Sequence, residues 1–110
     1  MMVNIFEEGF KELVGKLKRC FTKNGRVANA NDSHLNKIRK AMINELNHED
    51  DLEELKAYRK WVEECIASAE ESIKSMNDKD LIDVTRAHIK WVTNFLDKVD
   101  KKIRSVEESQ

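Results

Sequence analysis

Two neighbouring stretches of the sequence decide the fold: DDLEELKAYRKWVEECIASAEESIKSM at residues 50–76 and KDLIDVTRAHIKWVTNFLDKVDKKIRSVE at residues 79–107. In both, apolar residues recur every three or four positions, the spacing that places them on one face of an α-helix. Asn77 and Asp78 lie between the stretches, where they favour a turn and can cap a new helix. Helices joined by so short a link pack antiparallel, so the sequence predicts a long helical hairpin.

Two shorter amphipathic helices are predicted ahead of the hairpin. The first spans about residues 5–23 and ends at an Asn-Gly pair, which supplies the left-handed conformation common at helix ends. The second spans about residues 33–47 and follows an asparagine-rich loop. A chain of 110 residues is the size of one domain. We therefore expect a single all-α domain over residues 1–110, a small helical bundle of three to four helices organised on the antiparallel hairpin.

The composition excludes several classes of protein. Charged residues make up 37% of the chain and there is no proline, so the chain is neither collagenous nor a proline-rich or Gly/Ser linker. No apolar run exceeds three residues, whereas about 20 are needed to cross a bilayer, so no integral membrane association is expected. The first residues lack the basic start and apolar run of a signal peptide, and we expect a cytoplasmic protein.

The two arms of the hairpin resemble each other at an offset of 30 residues. The tripeptide Lys-Trp-Val at residues 60–62 matches the same tripeptide at residues 90–92. Either true repetition of a helical unit or the composition that amphipathic helices share can produce such a match. Trp61 and Trp91 lie at the edge of each apolar face, so either the two N-terminal helices cover them or a second copy of the chain does.

No pattern of catalytic or metal-binding residues is present in the sequence. His34, His48 and His88 lack the spacing to carboxylates or to each other that a helical metal site needs. A phosphate-binding loop and a nucleophile motif are also absent. Cys20 and Cys65 lie on apolar faces and are expected to be free thiols that fill space. We therefore expect no metal, no cofactor and no enzymatic activity.

His88 is the polar residue in the middle of the fourth helix's apolar face. A buried imidazole costs free energy of desolvation unless it has a hydrogen-bonding partner or an opening to solvent. Tyr58, its counterpart at the offset of 30 residues, is one candidate partner. We interpret His88 as a structural residue, because no motif places a nucleophile or a second acid beside it.

The two halves of the chain carry opposite charge. Residues 1–47 contain nine Lys and Arg against five Asp and Glu, while residues 48–110 contain eleven against sixteen. This asymmetry can attract the halves to each other on folding, or it can mark a surface that binds phosphate groups. Aromatic residues are absent from the basic residues' own helix face, which counts against nucleic acid. The candidate anion-binding residues are Lys16, Lys18, Arg19, Lys23, Arg26, Lys37, Arg39 and Lys40.

Binding is the kind of function that these features favour. We expect a small helical adaptor, inhibitor or assembly factor that acts through a protein-interaction surface, with another protein or further copies of itself as partner. The candidate interface residues are Trp61, Trp91 and Tyr58. The alternative is capture of a phosphate-bearing ligand, a nucleotide messenger or nucleic acid, by the basic N-terminal half.

Overall fold

The structure is a computed structural model that describes residues 5–20 and 33–110. Most of these residues lie in four α-helices. They are α1 (Ile5–Cys20), α2 (Ser33–His48), α3 (Leu52–Lys74) and α4 (Lys79–Glu108). That part of the chain contains no strand, so the prediction of an all-α fold is confirmed. The predicted limits of α2, α3 and α4 agree with the observed ones to within two residues. The predicted end of α1 and the loop after it lie outside the described residues.

Aspartate side chains begin both arms of the hairpin. One oxygen of Asp51 accepts hydrogen bonds from the backbone N–H groups two and three residues ahead, at 2.9 and 3.3 Å, and Asp78 does the same at 2.9 and 3.3 Å. These bonds satisfy donors that the first turn of a helix leaves without a helical partner, and each cap is typically worth about 1 kcal/mol. Because Asp51 is the cap, α3 begins two residues after its predicted start.

The helices α3 and α4 form the predicted antiparallel hairpin. Near the start of α3, Arg59 pairs with Asp100 in the second half of α4, with Nε 3.2 Å from Oδ1. Beside the turn, the hydroxyl of Thr85 lies 3.7 Å from the sulfur of Met76. The side chains buried along the hairpin are Leu55, Tyr58, Val62, Cys65 and Ala69 from α3 and Thr85, His88, Val92, Phe95, Val99, Ile103 and Val106 from α4.

The helix α1 lies along α3 and runs in the same direction. Phe10 stacks on Tyr58 with ring centroids 3.8 Å apart, and further along both helices Lys18 and Glu64 line one groove. Phe10 also reaches α4, where its ring centroid lies 6.1 Å from that of Phe95. Phe10 is fully buried, so a single side chain joins α1 to both arms of the hairpin.

The helix α2 lies along α4 in the same way. The guanidinium of Arg39 lies over the ring of Trp91, and further along the backbone carbonyl of Asn47 accepts a hydrogen bond from Lys102 at 3.2 Å. Since α1 and α2 also pack against each other, the order of the helices around the bundle is α1, α2, α4, α3. Each helix that the structure describes is too short or too polar to cross a bilayer.

Candidate functional site

A groove lies between α1 and α3 around the partly buried ring of Trp61. The ring is backed by Phe10, with centroids 6.3 Å apart, and the ammonium group of Lys11 lies over it at 5.8 Å from the ring centroid. The groove has a volume of about 280 Å³. Its lining residues are Lys11, Val14, Gly15, Lys18, Lys60, Trp61 and Glu64.

Trp91 occupies the corresponding place between α2 and α4, on the opposite side of the bundle. It stacks on Phe95 with ring centroids 5.4 Å apart, and the guanidinium carbon of Arg39 lies 4.7 Å from its centroid. Helices α1 and α2 thus each place a cation over one tryptophan. Cover by the two N-terminal helices is one of the two arrangements that the sequence allows. Both rings remain partly exposed.

Tyr58 lies beneath this surface and not on it. It is 0% exposed, its ring centroid is 6.2 Å from that of Trp61, and its hydroxyl donates to Glu49 at 3.3 Å. Burial, followed by the negative charge of Glu49, holds the pKa of the Tyr58 hydroxyl well above its usual range. The hydroxyl therefore faces the junction of α2 and α3, while His88 lies toward the turn at the other end of the hairpin.

His88 is fully enclosed by the bundle, with an exposed fraction of 1%. Burial, followed by the positive charge of Arg39, lowers the pKa of His88 to about 3. The imidazole is therefore neutral near pH 7.

The predicted anion-binding residues do not gather at one point. Lys18 lines the Trp61 groove, whereas Lys16 pairs with Glu12 at 3.9 Å and Arg39 lies over Trp91. The remaining described members of the set are exposed; they are Arg19 on α1 and Lys37 and Lys40 on α2. Lys23 and Arg26 lie outside the described residues.

Lys60 is a groove residue that the sequence did not reveal. It belongs to the acidic half of the chain, and only the packing of α1 along α3 brings it beside Lys11 and Lys18. The same packing places the aromatic ring of Trp61 beside the basic surface of α1. That helix face has no aromatic residue of its own. The Lys-Trp-Val tripeptide at residues 60–62 marks this part of α3 in the sequence. Nothing in the local sequence, however, indicates that α1 packs against it.

The acidic stretch between α2 and α3 shapes the turn there. Glu49 accepts hydrogen bonds from the backbone N–H of Asp51 at 3.0 Å and from the hydroxyl of Tyr58, and Asp50 pairs with Lys102 at 3.4 Å. With Asp51 used as the helix cap, these carboxylates already have structural partners. Among the described residues, no group of three or more His, Cys, Asp or Glu side chains is placed to hold a metal ion.

Comparison with known proteins assigns no family to this chain. No family model, no curated protein and no solved structure matches it.

Cys65 is expected to react only when the protein unfolds. Burial raises the pKa of its thiol to about 11, with Lys18 acting weakly in the opposite direction. At pH 8 the reactive thiolate is then about 100-fold scarcer than in the unfolded chain. Labelling with Ellman's reagent in a Cys20→Ser background should be at least about 100-fold slower in buffer than in urea. Equal rates under the two conditions would contradict this burial.

Proposed function

We propose that this chain is a non-enzymatic helical binding protein, an adaptor, inhibitor or assembly factor, whose interaction surface is used to associate with further copies of itself. The supporting observation is the matched pair of partly exposed indoles, Trp61 and Trp91, each stacked on a buried phenylalanine ring. Tryptophan is among the residues that most often dominate binding energy in protein interfaces. A ring held from beneath also loses little conformational freedom on binding.

Two features favour self-association over a single contact. The tryptophans lie on opposite sides of the bundle, so one molecule can contact two neighbours. The basic surface of α1 and α2 in one copy and the acidic surface of the hairpin in another attract each other. Tyr58, 0% exposed beneath Trp61, acts here as a support that fixes the orientation of that ring.

Native mass spectrometry and light scattering test this proposal. The protein should appear at two or more times the monomer mass of 12.9 kDa. Trp61→Ala and Trp91→Ala should each weaken the assembly by at least about tenfold, which corresponds to about 1.4 kcal/mol. The matched controls Lys60→Ala and Lys90→Ala change the exposed neighbours in the same tripeptides and should have little effect.

Circular dichroism establishes that each variant is folded before its assembly is compared. A protein that stays a monomer as its concentration rises would overturn self-association. Assembly that is the same in both tryptophan variants as in the unchanged protein would remove these residues from the interface.

A second candidate function is capture of a phosphate-bearing ligand, a nucleotide messenger or nucleic acid. The observation that favours it is the set of three lysines around Trp61, which comes from both α1 and α3. Phosphate groups are attracted to such a concentration of positive charge, and the attraction falls steeply as salt is added.

A further inference from the structure

The groove between α1 and α3 concentrates positive charge around an aromatic ring. Lys11 and Lys18 line it from α1 and Lys60 lines it from α3, while Glu64 is the one carboxylate among its lining residues. Lys11 and Lys60 are exposed, so their ammonium groups can move toward a ligand without unpacking the bundle. With three cations and one anion among its lining residues, the groove carries a net positive charge that attracts phosphate.

Trp61 supplies the second part of a nucleotide site. Phe10 backs its ring from the core, at 6.3 Å between centroids, so the indole has a fixed orientation in the groove. Lys11 lies over the ring at 5.8 Å and reaches it through an exposed, flexible side chain. Proteins that bind single nucleotides or single strands commonly stack the base on such a ring and hold the phosphate with lysine or arginine.

Gly15 leaves space beside that ring. A Cβ atom built on Gly15 would meet only the end of the Arg19 side chain, at 3.6 Å, so position 15 opens onto the groove and not onto packed core. On α2, the residue four positions after Arg39 is Ile43, as Gly15 is four positions after Lys11, and Ile43 is partly buried against the core. At the same offset from the cation that lies over its tryptophan, α2 therefore carries a large side chain and α1 carries none.

We propose that the groove binds one nucleotide, with its base against Trp61 and its phosphate among Lys11, Lys18 and Lys60. A groove of about 280 Å³ is at the lower limit of small-ligand sites, about 300–1,000 Å³, which suits a single nucleotide unit. The nucleotide is either free or part of a single strand, since both present the same base and phosphate. This inference rests on the second of the two proposed functions, and its site shares the ring of Trp61 with the proposed self-association surface.

The test is titration calorimetry of the full chain with adenosine monophosphate and, separately, with a short single-stranded oligonucleotide, at low and at raised salt. Binding should weaken as salt is added. In a Trp91→Phe background, the ligand should also quench the fluorescence of Trp61. Equal affinity for the two probes would identify the free nucleotide as sufficient, and much tighter binding of the oligonucleotide would identify a strand; both support the site.

Two variants address the groove itself. Gly15→Ile fills it with the residue that α2 carries at the corresponding position, and Lys60→Glu reverses one charge on the α3 wall. Each should weaken binding by at least about tenfold while the helical circular dichroism signal stays unchanged. Lys90→Glu, the same charge change at the exposed equivalent of Lys60 on α4, is the matched control and should have a much smaller effect. Lys37→Glu and Lys40→Glu test the exposed candidate residues on α2.

The possible failures are distinguishable. Binding that survives both groove variants but is lost with the α2 variants would overturn the groove and leave phosphate capture standing. No binding of either probe, even at low salt, would overturn both the groove and the second proposed function.

Discussion

Phe10→Ala is expected to lower the free energy of unfolding by about 3–5 kcal/mol. The ring is 0% exposed, and its centroid lies 3.8 Å from that of Tyr58 and 6.1 Å from that of Phe95. Truncation removes the buried aromatic surface, both of these ring contacts and much of the backing of Trp61. A domain of this size is typically stable by about 5–15 kcal/mol, so a large part of the total is at stake.

Urea unfolding followed by circular dichroism and by tryptophan fluorescence measures this loss. Because Phe10 contacts both arms of the hairpin, the variant should lose near-ultraviolet signal from Tyr58 and Trp61 before the hairpin unfolds. Lys16→Ala, a change at a half-buried surface position further along the same helix, is the control and should alter stability by less than about 0.5 kcal/mol. A loss below about 1 kcal/mol for Phe10→Ala would show that α1 is not held through this side chain.

The protein is expected to lose about 2 kcal/mol of stability through His88 alone between pH 7.5 and pH 5. Burial lowers the pKa of His88 to about 3 in the folded state, whereas an unfolded histidine has a pKa of about 6.5. Below pH 6.5 the unfolded chain takes up a proton that the folded protein does not, and this favours unfolding. The stability due to neutral His88 is therefore fully present above pH 6.5 and falls by about 1.4 kcal/mol per unit below it.

The measurement compares urea unfolding at the two pH values for the unchanged protein and for His88→Leu, which has no group to titrate. The difference between their pH dependences isolates this residue from the carboxylates. His48→Gln is the control: His48 is exposed, with Nδ1 2.8 Å from the carbonyl oxygen of Asn44, and its replacement should leave most of the pH dependence in place. The same pH dependence in His88→Leu as in the unchanged protein would mean that His88 is accessible to protons.

The local sequence is sufficient to predict the helices and the hairpin. The spacing of apolar residues predicts the limits of α2, α3 and α4 to within two residues, because apolar residues in each segment recur with the period of a helix. The short link containing Asp78 then required antiparallel packing. The observed start of α3 differs from the predicted one because three consecutive acidic residues can each cap the helix. The choice of Asp51 depends on the hydrogen bonds made around it.

Contacts between distant segments could not be predicted in this way. Tyr58 has an apolar ring and a polar end, so the sequence suggests an interface; in the structure it is buried, and Phe10 from another helix stacks on it. Lys60 lies in one groove with Lys11 and Lys18 for the same reason, since the packing of α1 on α3 brings them together. Periodicity identifies the buried face of a helix but not which neighbour covers each residue.

The pairing of α1 with α3 and of α2 with α4 has a consequence for the order of folding. The ring of Phe10 in α1 stacks on Tyr58 and also lies near Phe95, both of which come much later in the chain. On the ribosome, the apolar face of α1 therefore emerges long before the residues that cover it have been synthesised. The hairpin can close from its own short turn, whereas the contacts of α1 with α3 and of α2 with α4 join residues far apart in the sequence, and such contacts form more slowly.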